Sequence, residues 1–319
     1  MRFIKNILKK IISFYGYSII DNISANEISQ CLNSAVNVIG RQSEFEFSKG
    51  VSIVVFSKDR PLQLYGLIES YFNCCINPVK LTILYQASND EVYSAYKKLI
   101  DICYLNGLNV LFVKEKTTFK SEVVAIMRSI ETESIFFLVD DIVFISTFNM
   151  DSIKCIDSSK FIFSLRHSTS IAYSYTLNQR LKLPLFSEAE FGSDLIEFDW
   201  FSGDGEWSDP WSLDGQLLNT KQVLSILEII DFNAPNSFEN CLKLFNKFKI
   251  NKKGLCYTNS KIVNIPVNRV QLENDNKCGS VTSEYLLEKW NNGFFMDWKR
   301  YYGLNSKSTH VELPIYLKK

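Results

Sequence analysis

Two adjacent carboxylates, Asp140 and Asp141, close the apolar run Ser134-Ile135-Phe136-Phe137-Leu138-Val139, and the chain turns apolar again at Ile142-Val143-Phe144. A run of this length, rich in Ile, Val and Phe, reads as a strand buried on both faces. Two acids at its end are costly to desolvate unless something pairs with them. Hard divalent cations take oxygen ligands, and Mg²⁺ is usually held by one or two carboxylates together with substrate phosphates. Open α/β sheets bind ligands at the carboxyl ends of their strands. The pattern therefore points to a metal–diphosphate site. The plainer alternative is a strand exit whose acids face water.

Other stretches carry residue types suited to chemistry. Val51 to Phe56 is a second buried strand, and it runs into Ser57-Lys58-Asp59-Arg60-Pro61. Pro61 suits the first position of a helix, and Leu64, Leu67, Ile68, Tyr71 and Phe72 continue at helical spacing. Strand, polar loop and helix together offer backbone N–H groups and a positive helix end to an anion. No GxGxxG or Walker sequence is present, so dinucleotide and P-loop readings lose their main support. Farther along, Phe198 to Asp214 is dense in Trp, Asp and Gly, with Trp207, Asp209, Trp211 and Asp214 close together. Flat aromatic faces beside carboxylates suit sugar rings; an irregular hairpin region with buried tryptophans is the bland alternative. Asn236 or Ser237 can cap a helix in which Glu239 lies in the first turn, where the dipole favours its ionised form and lowers its pKa. Only His167 and His310 supply imidazole.

The elements that must position these residues alternate. After the Val51 strand and its helix come a strand at Leu81–Tyr85, a helix through Val92 to Ile102, a strand at 109–113, a helix through Val123 to Ile130, and the strand ending in Asp140. This order predicts a mostly parallel sheet with helices on both faces. Phe161 to Leu165 is a later strand, ending in Arg166-His167. Residues 1–20 carry Ile4, Ile7, Leu8, Ile11, Ile12 and Tyr15 at helical spacing beside Arg2, Lys5, Lys9 and Lys10. That is a basic amphipathic helix, suited to an anionic membrane surface or to packing on protein. Residues 21–49 read as a connection to the main domain, residues 50–319.

Composition bounds the rest. The 319 residues are 46% hydrophobic, with 24 Phe and 15 Tyr, enough for a sizeable core. Lys+Arg and Asp+Glu are both 35, so no global charge draws the chain to nucleic acid. The eight cysteines form no CxxC pair, which leaves zinc and redox motifs unsupported and suggests a reducing compartment. No stretch reaches transmembrane length, and the N-terminus lacks the layout of a signal peptide. A cytoplasmic protein, peripheral at the inner membrane face, is expected.

The stretch Val51 to Pro61 resembles the opening of GT-A fold glycosyltransferases of the bacterial surface-polysaccharide, family-2-like type, in which a strand leads into a polar loop ending in Asn/Asp-Arg-Pro. Leu138-Val139-Asp140-Asp141-Ile142-Val143-Phe144 resembles their DxD region, with valine at the first acidic position. Ser212-Leu213-Asp214-Gly215 and Asn236-Ser237-Phe238-Glu239 resemble segments on the acceptor side. The resemblance implies a nucleotide-binding half at residues 50–145 and an acceptor-binding half at 146–319. It implies transfer of a sugar from a nucleotide diphosphate, a UDP-sugar first, to a saccharide or lipid-linked saccharide in capsule or lipopolysaccharide O-antigen synthesis. Phe56, Ser57, Lys58, Asp59, Arg60 and Asp140 would then bind donor. Asp141, with His310, would hold Mn²⁺ or Mg²⁺. Trp207, Trp211 and Asp209 would bind acceptor. For an inverting reaction Glu239 is the first candidate base, Asp214 the second and Asp209 a third. The competing classes are a nucleotidyltransferase-like enzyme, which would be expected to carry a Gly-rich loop where Phe56 to Pro61 has no glycine, and a non-catalytic carbohydrate-binding protein on the same fold.

Overall fold

The computed structural model describes residues 46–190, 194–247, 253–268, 279 and 281–319. The expected N-terminal amphipathic helix, and nearly all of the connecting segment, lie outside the described residues. From β1 (Ser48–Lys58) the chain passes through α1 (Pro61–Cys74), β2 (Leu81–Gln86), α2 (Asp90–Leu105), β3 (Val110–Lys114) and α3 (Phe119–Arg128) to β4 (Thr132–Val139). The helices start where the sequence allows. Pro61 opens α1, and the side chains of Asn89 and Thr118 cap α2 and α3 by accepting from the N–H groups of Val92 and Ser121.

The second half supplies β5 (Ile142–Phe144), β6 (Phe161–Ser164), β7 (Phe186–Glu188), β8 (Leu195–Asp199), β9 (Gln216–Asn219), α4 (Thr220–Leu227), α5 (Pro235–Lys243), β10 (Lys253–Tyr257), β11 (Ile262–Asn264) and α6 (Ser283–Asn291). Among the described residues nine strands share one sheet in the order β7-β8-β10-β6-β9-β4-β1-β2-β3. The strands β4, β1, β2 and β3 pair in parallel, as the alternation predicted. Only β9 and β8 run against the common direction, because β9 is antiparallel to both β4 and β6, and β8 to both β10 and β7. The sheet is thus mostly parallel.

Both faces are covered. Along β1, Val51, Ile53 and Val55 enter one core while Val54 and Phe56 enter the other; along β4, Phe136 and Leu138 part from Ile135 and Phe137 in the same way. Unbroken apolar runs on β1 and β4 follow from this double burial. The register sets Phe56 beside Val139. The two polar segments that continue these strands, one starting at Ser57 and the other at Asp140, therefore leave the sheet side by side at its carboxyl edge.

Candidate active site

A cleft of about 840 Å³ opens at that edge, and it is lined by Phe56, Ser57, Lys58 and Arg60 together with Asp140, Asp141, Asp209, Asp214, Glu239 and His310. Residues far apart in sequence are brought together, and ten of the thirteen expected site residues line the cleft, all but Asp59, Trp207 and Trp211.

Arg60 and Asp140 knit the first wall. The Asp140 carboxylate, only 4% exposed, accepts from Arg60 Nη1 at 3.0 Å and from the Lys58 backbone N–H at 3.1 Å. Arg60 Nη2 also donates to the Asn268 carbonyl. Burial alone would favour loss of the guanidinium charge, but the facing Asp140, and behind it Asp141, more than restore it, so Arg60 titrates above its ordinary value. Asp140 is thereby an anchor for the loop. Asp59 plays another part than the one expected. It sits at φ 55°, and its carboxylate accepts from the Ser88 N–H at 2.8 Å and hydroxyl at 2.6 Å, bracing the loop into α2 instead of facing the cleft. Phe56 lines the cleft, but its ring belongs to the core, in contact with Phe119 and Phe137.

Asp141 is placed by a short antiparallel ladder of β5 on β11. The ladder continues through the Ile265 N–H donating to the Asp141 carbonyl at 2.9 Å, and Asn264 Nδ2 donates to Asp141 Oδ1 at 2.9 Å. Burial, with Asp214 and Asp140 adding repulsion, pushes the Asp141 pKa up to about 6 in spite of Arg60. A carboxylate held in this way suits a divalent cation. Among the described residues, however, no set of three His, Cys, Asp or Glu side chains gathers as a metal-holding group. A cation at Asp141 would need further oxygens from a diphosphate and from water.

Asp214 follows from a local requirement. Gly215 sits at φ +85°, and a Cβ there would come within 2.4 Å of Ile262 Cδ1. Its N–H donates to the Phe137 carbonyl at 2.9 Å, which fixes Asp214 beside the end of β4. Arg166 Nη1 donates to Asp214 Oδ2 at 2.8 Å, and His310 Nε2 lies 3.7 Å from the same oxygen. His310 thus faces Asp214. Burial pushes its pKa down to about 4, Arg166 and Lys243 adding to the effect while Asp214 opposes it, and the imidazole is neutral at ordinary pH.

Glu239 lies on α5, which begins at Pro235 after Ala234. The Ser237 hydroxyl turns back to accept from the Ala234 N–H at 3.0 Å, so neither Asn236 nor Ser237 is the cap. Glu239 is consequently past the first turn, and its pKa is raised, not lowered as the helix start implied. Burial is the main cause; Asp214 and Asp209 add to it, and Lys243, 3.5 Å away, opposes it. Lys243 Nζ lies closer to Asp209 Oδ2, at 2.9 Å.

Trp207 and Trp211 are corrected outright. They are 0% and 1% exposed and pack in the core, with Trp207 against His167, Phe186 and Phe198, so their faces are closed to an acceptor. Asp209, from the same stretch, does line the cleft. His167 is buried as well, between Ser164 Oγ at 2.8 Å and the Glu206 carbonyl at 3.1 Å, and burial drives its pKa well down.

Sequence reasoning passed over Arg166, Lys243, Asn264 and Glu206, all of which line the cleft. Arg166 carried a usable signal, since it follows the β6 strand at its carboxyl end, as Asp140 follows β4. Lys243 is the i+4 neighbour of Glu239. Asn264 and Glu206 had no such mark.

No protein-family model matches the chain. In sequence it is 24% identical over 215 residues to the bifunctional glycosyltransferase pgtA of Dictyostelium discoideum, a match covering 60% of this chain and 27% of that protein. The chain is similar to a glycosyltransferase. It spans about a quarter of the length of that curated relative. Among solved structures, S. aureus TarS in complex with UDP-GlcNAc superposes with a TM-score of 0.41 at 13% identity, covering 67% of this chain and 57% of TarS. The bifunctional enzyme WbbM gives 0.36 at 10% identity, covering 62% and 38%. The 4-diphosphocytidyl-2C-methyl-D-erythritol synthase of Anaerococcus prevotii gives 0.40 at 10% identity, covering 68% and 90%.

Proposed function

We infer that the chain transfers a sugar from a nucleotide-diphosphate sugar, a UDP-sugar first, to an acceptor hydroxyl. The observation that carries the reading is the convergence in one cleft of the Ser57–Arg60 loop, Asp141 and the candidate bases Asp209, Asp214 and Glu239. Sequence similarity to a glycosyltransferase supports it. Charge supports the need for a cation. Among the described residues the cleft is lined by seven carboxylates, Glu115, Asp140, Asp141, Glu206, Asp209, Asp214 and Glu239, against the four cations Lys58, Arg60, Arg166 and Lys243. A diphosphate entering such walls needs further positive charge. Asp141 is the residue to hold Mn²⁺ or Mg²⁺, which when bound would neutralise charge developing on the leaving diphosphate.

Glu239 is the preferred base. Asp214 is already neutralised by Arg166 at 2.8 Å and Asp209 by Lys243 at 2.9 Å, whereas Glu239 shares that lysine at 3.5 Å. Burial that raises its pKa brings it toward the working pH, where a general base is most effective. It would take the proton of the acceptor hydroxyl as that oxygen attacks the sugar, giving inversion. Capsule or O-antigen synthesis, with a lipid-linked acceptor at the inner membrane face, is the setting we favour on the sequence resemblance.

The test is a thermal-shift screen of nucleotide sugars with and without Mn²⁺, followed by assay of donor hydrolysis. A ligand at a hundredfold its Kd should stabilise the protein by about 2.7 kcal/mol, more weakly in EDTA, and Asp141→Ala should lose the Mn²⁺ effect. A protein that neither binds nor hydrolyses any nucleotide sugar would sink the reading.

A further inference from the structure

Glu206 stands out among the cleft residues. It is 9% exposed, and its Oε1 accepts from the Ser174 hydroxyl at 2.8 Å, yet its Oε2 is buried with no hydrogen-bond partner among the described residues. Buried polar atoms are with few exceptions paired, and one that is not calls for an explanation. The surroundings hold the carboxylate firmly. Its own carbonyl receives His167 Nε2 at 3.1 Å. Gly205 before it sits at φ +53°, where a Cβ would meet Leu181 Cδ2 at 2.6 Å. The Ser174 hydroxyl also accepts from the Leu177 N–H at 3.2 Å, tying the facing loop to the same oxygen.

We propose that Glu206 is the centre of an acceptor-side subsite that accepts a hydrogen bond from a hydroxyl of a saccharide ring. Glu206, Ser174 and Leu177 all belong to the half of the chain beyond β4, away from the Ser57–Arg60 loop, and all line the cleft. Leu177 is 57% exposed and lies over Gly205. An exposed leucine next to a carboxylate acceptor matches a ring with C–H groups on its face and hydroxyls on its edge. A bare cation would find one apolar side of this pocket of no use. The inference rests on the glycosyltransferase reading, and it assigns to Glu206 part of the role first given to the buried Trp207 and Trp211.

The experiment compares wild type with Glu206→Ala and Glu206→Gln, using the nucleotide sugar that wild type hydrolyses and a panel of methyl glycosides with their monodeoxy analogues. A hydrogen bond to a charged group predicts a roughly ten- to hundredfold rise in acceptor KM for Glu206→Ala. The rise in acceptor KM should exceed any change in donor hydrolysis measured without acceptor. Wild type should discriminate against one monodeoxy acceptor, and Glu206→Ala should not. Glu206→Gln, which preserves the Ser174 contact and can donate to a hydroxyl oxygen, should fall between the two and melts as the control for folding. Acceptor KM within twofold of wild type in both variants, or discrimination among deoxy acceptors left intact, overturns the subsite while the transferase reading stands. Loss in Glu206→Gln as severe as in Glu206→Ala, with preference for amino-sugar acceptors, replaces the hydroxyl by an ammonium and overturns it too. A wild type inert toward every nucleotide sugar overturns both.

Discussion

Glu239 and Asp141 are both carboxylates pushed upward by burial, and the consequences differ with their surroundings. Glu239→Gln keeps the side chain's size and removes its basicity. Turnover should fall by roughly a hundred- to ten-thousandfold, the usual worth of a positioned base, while donor binding by thermal shift is retained. A loss of a few fold would transfer the role to Asp214. In wild type the acid limb of the kcat profile should lie above the ordinary carboxylate range, because the Glu239 pKa is raised. For Asp141 the pKa rises from 3.8 to about 6 in the folded chain. The folded state therefore holds a proton that the unfolded state gives up between those values. The resulting stability is present below pH 3.8 and lost as pH rises through about 6. Asp141→Asn keeps an acceptor for Asn264 and carries no charge. Melting in EDTA should show the variant gaining on wild type between pH 4 and pH 7; a gap independent of pH would contradict this.

At the scale of elements, the junction of β1, α1 and β4 is held by the Arg60–Asp140 pair, whose side chains are 12% and 5% exposed. Removing one partner of a buried pair leaves an uncompensated charge, worth about 3–5 kcal/mol, whereas replacing both by apolar residues is often neutral. Denaturant unfolding should thus find Arg60→Met strongly destabilised and Arg60→Met with Asp140→Leu largely recovered. Equal losses in the two would show that Arg60 acts through Asn268 instead. These elements were also the most legible in the sequence. Period and apolar run length identify β1 and β4 because both faces are buried, and the rule that polar residues at strand ends face ligands then finds Arg60, Asp140 and Asp141. The tryptophans misled because composition cannot tell a polar stretch that surrounds a core aromatic from one that displays it. Trp207 is enclosed by Phe186, Phe198 and His167, residues up to forty positions away. Glu239 was found on a helix whose start was misplaced, since Ser237 bonds back to Ala234 in a way its residue type alone does not reveal. Asn264 was out of reach, because only the pairing of β5 with β11 puts it on Asp141.

For the whole molecule, charge is distributed against the balanced total: the chain is neutral while the described residues of its cleft carry an excess of carboxylates. No helix of the described residues is long and apolar enough to cross a membrane. In sequence, residues 1–20 intersperse Arg2, Lys5, Lys9 and Lys10 with Ile4, Ile7, Ile11 and Ile12. Near an anionic surface each basic residue contributes roughly 1 kcal/mol. The 319-residue chain should co-sediment with phosphatidylserine-containing vesicles at low salt and be released as salt rises, and a chain beginning at Glu46 should stay in the supernatant. Equal recovery of both chains with vesicles would remove the anchor.

Asn264 N–H donates to the Thr309 carbonyl and Val311 N–H to the Asn264 carbonyl, both at 3.0 Å. This bridge ties the brace on Asp141 to residues far along the chain. During synthesis the sheet strands β1 to β4 emerge early and can pair among themselves, but the residue that braces Asp141 gains its own brace only after residue 311 has left the ribosome. Contacts so distant in sequence close late. A nascent chain is therefore expected to hold β1 to β4 before its cleft is complete, and on the function proposed above transfer would wait until the residues around Val311 have been made.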